Sequence, residues 1–66
     1  MDGQRLTRIF DVVDELAEHG PQTVTELSSR LKVPLSSTHD LVKAMVEARG
    51  LHCSGRTYGL GPRAVL

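Results

Sequence analysis

Ser36, Ser37, His39, Asp40 and Lys43 lie within eight consecutive positions, and each side chain ends in a group that donates or accepts a hydrogen bond. Serine, histidine and aspartate are the residue types of a hydrolytic triad. Such a triad has to converge on a substrate from around a pocket, and neighbouring positions on one helix cannot enclose one. The chain carries neither a glycine-rich phosphate loop nor a paired-acid constellation, so an enzyme is not expected. His19, His39 and His52 share no metal-ligand spacing, and neither a metal nor another cofactor is expected. Cys53 is the single cysteine, which excludes an internal disulfide; within a strand it reads as a small, partly buried hydrophobe. The chemistry left to this cluster is recognition of a polar surface.

Three helical segments and a hairpin have to position these groups. Residues 5–19 carry Leu6, Ile9, Phe10, Val13, Leu16 and Ala17 at helical spacing, which predicts a first helix with that stripe inward and Val12 free to face a partner. Gly20-Pro21 stops it. Thr23-Val24-Thr25-Glu26 has the form of a capping box and predicts a second helix over 24–31, broken by Lys32-Val33-Pro34. A third helix is expected over 35–49, with Leu35, Thr38, Leu41, Val42, Met45 and Val46 toward the core and Gly50 as its C′ residue. Ser36, Asp40, Lys43 and Glu47 then line the opposite face, flanked by Ser37 and His39. Leu51-His52-Cys53 and Thr57–Leu60 read as the strands of a hairpin over 51–60, with Ser54-Gly55-Arg56 between them. Residues 61–66 read as the start of a truncated linker.

This order predicts a mainly α fold with a small β-hairpin: a winged helix-turn-helix, three helices plus a wing, as one domain over 1–66. In such a fold the long third helix can enter the major groove of double-stranded DNA, while the hairpin reaches the backbone or a neighbouring groove. The hydroxyls of Ser36 and Ser37 then approach phosphate or a base edge, in addition to serving the first helical turn. Asp40 either accepts from cytosine N4 or is a solvated charge paired with Lys43. Lys43 and His39 are further contacts on that helix, and Arg56 at the hairpin tip serves the wing. Arg30 and Arg49 are additional phosphate candidates.

The chain of 66 residues has zero net charge, but its charge is unevenly placed. Residues 1–20 hold two arginines against five acids, and residues 21–66 hold six basic residues against three acids. The basic portion contains the groups expected to meet a polyanion. No apolar run approaches the roughly 18 residues of a membrane span, and the amino terminus lacks the apolar core of a signal peptide. A cytoplasmic setting and no membrane partner are expected.

Thr23-Val24-Thr25-Glu26-Leu27-Ser28, Val33-Pro34-Leu35-Ser36-Ser37-Thr38-His39-Asp40-Leu41-Val42, Gly50-Leu51 and above all Tyr58-Gly59-Leu60-Gly61-Pro62-Arg63 carry a resemblance. The sequence resembles the N-terminal DNA-binding domain of the IclR-type bacterial transcription regulators, whose Y-x-LGPR signature the last segment approaches. The resemblance implies a winged helix-turn-helix, pairing of two copies through the first helix, and a linker helix just after the LGPR segment. It also implies a separate effector-binding domain, which is expected to be absent from this chain, and a bacterial or archaeal cytoplasm. Leu35 and Asp40 stand where the family often has basic residues, and Lys32 where glycine is usual. Thr57 and Gly59 flank Tyr58 in place of basic residues. The expected function is sequence-specific binding of operator DNA as a homodimer; the alternative is a winged-helix module for protein interaction or dimerisation without appreciable DNA binding.

Overall fold

The computed structural model describes residues 3–62. Helix α1 spans Gly3–His19, strand β1 Gln22–Thr23, α2 Val24–Leu31, α3 Leu35–Glu47, β2 Leu51–Ser54 and β3 Thr57–Leu60. Of the expected linker start at 61–66, residues 63–66 lie outside the described residues.

Each helix end has a local cause. The α1 backbone stops at Gly20, whose φ of 79° is open to a residue without Cβ and whose N–H donates to the Leu16 carbonyl at 2.9 Å. At α2 the capping box closes in both directions: the Glu26 N–H donates to Thr23 Oγ1 at 3.1 Å, and the Thr23 N–H donates to Glu26 Oε1 at 2.9 Å. Helix α3 ends at Glu47, two residues short of the expected end. Arg49, and not Gly50, takes the left-handed C′ position, with φ 65°. The Gly50 N–H then donates to the Met45 carbonyl at 2.8 Å and the Arg49 N–H to the Val46 carbonyl at 3.0 Å, the paired bonds of a Schellman end. Lys32 does the same work at the end of α2, with φ 56°.

The sheet has three strands rather than two. The hairpin β2–β3 is joined by β1 in the order β1-β3-β2, all antiparallel. Tyr58 pairs with Gln22 on one side and Cys53 on the other. The hairpin loop is Gly55-Arg56 alone, since Ser54 belongs to β2. Gly55 supplies the positive φ, 62°, that the first central residue of a type II′ turn requires.

Val12, Leu16, Leu27, Leu41, Val42, Met45 and Leu51 form the buried core, drawn from all three helices and β2. The inward face of α1 is therefore rotated from the expected one. Val12 is fully buried and cannot meet a partner, whereas Leu6 is 43% and Phe10 59% exposed, and Ala17 is exposed as well. Ile9 and Val13 pack against the core as expected. Leu35 is also corrected: it is 52% exposed at the first position of α3. Cys53 is exposed rather than partly buried.

Gly61 clasps the sheet to the end of α3. It is buried, and its N–H donates to the Gly50 carbonyl at 3.0 Å. A Cβ there would stand 2.7 Å from the Arg49 carbonyl oxygen and 3.0 Å from the Leu51 carbonyl carbon, both backbone atoms that cannot swing aside. Gly61→Ala should therefore destabilise the domain by about 2 kcal/mol, lowering Tm by about 10 °C. Thermal denaturation followed by circular dichroism measures this, and an unchanged Tm would show that the backbone after β3 can give way.

Candidate nucleic-acid interface

Helix α3 starts without a side-chain cap. Its N-cap is Pro34, and the Thr38 N–H is the first to find a carbonyl, that of Pro34 at 2.9 Å. The N–H groups of Leu35, Ser36 and Ser37 precede the first intrahelical bond and are open to an external acceptor. Inward-facing Thr38, Leu41, Val42 and Met45 are buried, which turns the opposite side of the helix to solvent. Ser36, Asp40 and Lys43 fall within about 60° of one another on that side, and all three are exposed. Ser37 and His39 are exposed on its two flanks.

Among the described residues none of these five side chains is engaged in an ion pair or side-chain hydrogen bond. The pairing of Asp40 with Lys43 is therefore not formed. Nor do Ser36, His39 and Asp40 bond to one another, so no base activates a serine. Among the described residues no group of three or more histidines, cysteines, aspartates or glutamates comes together to hold a metal ion. With Glu47 at its carboxyl end, the face offers hydroxyls, an imidazole, two carboxylates and an ammonium group, all on one rigid element. It suits reading a polar surface by hydrogen bonds.

Arg56 lies at the tip of the wing, exposed in the two-residue turn. The turn is braced by the Thr57 hydroxyl, which donates to the Ser54 carbonyl at 3.0 Å, and by the Cys53 thiol, which donates to the Gly55 carbonyl at 3.4 Å. Burial chiefly, with the Cys53 sulfur across the strand pair, pushes the Tyr58 phenol above its ordinary value. The other two sequence-derived cations are placed differently. Arg30 reaches Glu15 of α1, with Nη1 3.6 Å from Oε1. Arg49 lies beyond the carboxyl end of α3, in its left-handed position, at the opposite end from Ser36.

Sequence reasoning missed two groups. Arg5 and Arg8, on the first turns of α1, line a cleft of about 230 Å³ together with Ser37, Asp40 and Leu41 of α3. The available signal was their spacing: residues three apart share a helix flank, and every acid of α1 among the described residues follows them in the chain. The second missed feature is Leu35. As an exposed apolar side chain at the start of α3, it is of the type that contacts a thymine methyl in a major groove.

The sequence model of the IclR helix-turn-helix domain matches residues 5–52, which run from the first turns of α1 into β2. No curated protein matches the chain. No solved structure matches it.

The capping box sets where α2 begins, and α2 packs against α3. The hydrogen bonds from Thr23, chiefly its backbone N–H, hold the Glu26 carboxyl below its usual 4.5, with Arg30 adding a smaller pull in the same direction. A lowered folded value means that this stabilisation is present above the unfolded value and is lost as pH falls from about 4.5 through the folded one. Glu26→Gln keeps an acceptor but does not titrate. Tm measured from pH 7 downward should fall more steeply below pH 4.5 in the wild type than in Glu26→Gln. Parallel curves would mean that the box contributes nothing to acid stability.

Proposed function

The chain belongs to the IclR helix-turn-helix family of DNA-binding transcription-regulator domains, and from that premise we propose that it binds double-stranded DNA sequence-specifically, with α3 in the major groove. The observation that carries this reading is the uncommitted outward face of α3, where Ser36, Ser37, His39, Asp40 and Lys43 all stand exposed. Such a helix fits the groove as a rigid rod, and side chains at one spacing meet successive base edges. Ser36, Ser37 and Lys43 contact phosphate or base edges, His39 lies along the flank, and Asp40 accepts from cytosine N4. Arg56 carries the wing to the backbone or a narrow minor groove. Arg30 and Arg49 are peripheral to this surface and add only long-range attraction. The work is recognition without catalysis, in the cytoplasm, with no metal or cofactor.

One module reads one half-site with modest affinity, so two copies are needed for a near-palindromic operator. Leu6, Phe10 and Ala17, with the outer edge of Val13, form an apolar stripe on α1 within about 60°. This stripe, and not Val12, is the proposed face between two copies. The same exposed stripe favours the second reading, a protein-interaction or dimerisation module without appreciable DNA affinity.

Salt separates the two. DNA binding through phosphates weakens with a log–log slope of about −0.9 per phosphate neutralised. Lys43→Ala and Arg56→Ala should each weaken binding to all sequences and reduce the slope's magnitude by about one. Phe10→Glu should leave the folded monomer intact and abolish pairing on DNA, seen by sedimentation at rising concentration. Salt-independent association of the wild type, with no change in either alanine variant, would replace the proposal with the interaction-module reading.

A further inference from the structure

The cleft between α1 and α3 adds two arginines of α1 to the groups on the outward face of α3. Arg5 and Arg8 come from α1; Ser37, Asp40 and Leu41 come from one flank of α3. Arg5 is exposed and Arg8 half-buried, and neither has an ion-pair partner among the described residues. Two unpaired guanidiniums thus share a concave surface with a single carboxylate and a hydroxyl. Such a surface attracts an anion, and guanidinium groups match a phosphate in geometry as well as charge.

We propose that this cleft seats one phosphate of the DNA backbone, held by Arg5 and Arg8 with the Ser37 hydroxyl beside it. The proposal rests on the DNA-binding reading above and adds a contact made by a helix outside the helix-turn-helix pair. The geometric argument starts from α3. A helix with its side chains is about 10–12 Å across, and the major groove is about 12 Å wide. A helix that fills the groove has the phosphate backbones along its flanks. What lies beside the amino-terminal half of α3, on the Ser37 side, is the start of α1 with its two arginines.

Charge points the same way. The acids of α1 among the described residues, Asp11, Asp14, Glu15 and Glu18, all follow Arg8 in the chain, so the helix presents its cations at the α3 end and its acids away from it. Asp40, unlike Glu47 at the far end of α3, would otherwise be an uncompensated negative charge beside the amino-terminal half of the helix. With two guanidiniums lining the same cleft its repulsion is offset, and the carboxylate can remain at the groove as a hydrogen-bond acceptor. The apolar stripe of Leu6 and Phe10 lies on another face of α1, so pairing through that stripe leaves the cleft open.

The test begins with a DNA site selected by the wild-type chain from random duplexes. Affinity is then measured against salt for the wild type, Arg5→Ala, Arg8→Ala and the double variant, with Lys43→Ala as the reference for an independent phosphate contact. Both arginines sit on the first turns of α1, Arg8 half-buried, and circular dichroism checks that the double variant folds. The double variant should bind about tenfold more weakly, with the slope reduced by about one, because both groups serve one phosphate. A reduction near two would place them on separate phosphates and overturn the shared seat. An unchanged slope would overturn the cleft altogether while leaving the Lys43 result, and so the DNA-binding reading, intact. Replacing single phosphates by neutral methylphosphonates gives a second readout. One position should weaken the wild type and leave the double variant unaffected; equal sensitivity of both proteins at every position would refute the proposal. A wild type without salt-dependent DNA affinity would overturn this inference together with the reading it rests on.

Discussion

The carbonyl oxygen of Val33 accepts from the Ser28 hydroxyl at 2.7 Å and more weakly from the Thr38 hydroxyl at 3.5 Å, so one acceptor ties the end of α2 to the start of α3. The Thr38 hydroxyl also donates to the Pro34 carbonyl at 3.0 Å. Thr38 is almost fully buried, and a buried hydroxyl without a partner is costly, so these bonds fix which side of α3 turns inward. Once Thr38 points in, Ser36 and Asp40, each two residues away and about 200° round the helix, must point out. The exposed face of α3 is therefore set by a polar bond in the turn as much as by the apolar contacts of Leu41, Val42 and Met45. The turn itself is strained at Lys32, whose left-handed φ is ordinarily glycine's, and Pro34 prevents α2 from running on into α3.

How much of this could be read beforehand depended on the range of the interaction. The capping box at Thr23 and Glu26, the stop at Gly20 and the span of α2 are set by residues within a turn of one another, and sequence spacing finds them. The inward face of α1 is different. Its apolar residues cover a wide arc, with Ile9, Val12 and Leu16 toward one side and Leu6, Phe10 and Ala17 toward the other. Periodicity cannot choose between these sides. The choice falls to β3 and α2, the elements that α1 packs against, and both lie later in the chain. The strand Gln22–Thr23 was invisible for the same reason: two residues have no pattern of their own and become a strand only by pairing with Tyr58 and Thr57. At the end of α3 a glycine stood one position from where the left-handed residue was needed, and the hydrogen bonds to Met45 and Val46 selected Arg49.

The candidate site shows the same division. The five groups on α3 were legible because helical geometry alone collects them. Arg5 and Arg8 were not, because they reach α3 across the tertiary fold from some thirty residues away in sequence. Zero net charge argued against a polyanion only while charges were counted along the chain. In three dimensions Arg5 and Arg8 lie beside the amino-terminal half of α3, whereas Glu15 has Arg30 3.6 Å away. Net neutrality of the chain therefore does not mean that every face of it is neutral.

Helix α1 divides its surface among three tasks, partly around its axis and partly along it. Ile9, Val12 and Leu16 belong to the core, Leu6, Phe10 and Ala17 form an exposed apolar stripe, and Arg5 and Arg8 open toward α3. A chain of this size buries only about 60% of its unfolded surface, so apolar side chains left outside are a loss it can ill sustain. Phe10 is one of only two aromatic residues, and the larger part of it is exposed. Covering that stripe with its own copy would add apolar burial that the single core cannot supply. The same helix would then orient two recognition helices about a two-fold axis. Stability and half-site spacing would be coupled through one element, because whatever shifts the pairing of α1 also shifts the arginines that flank α3.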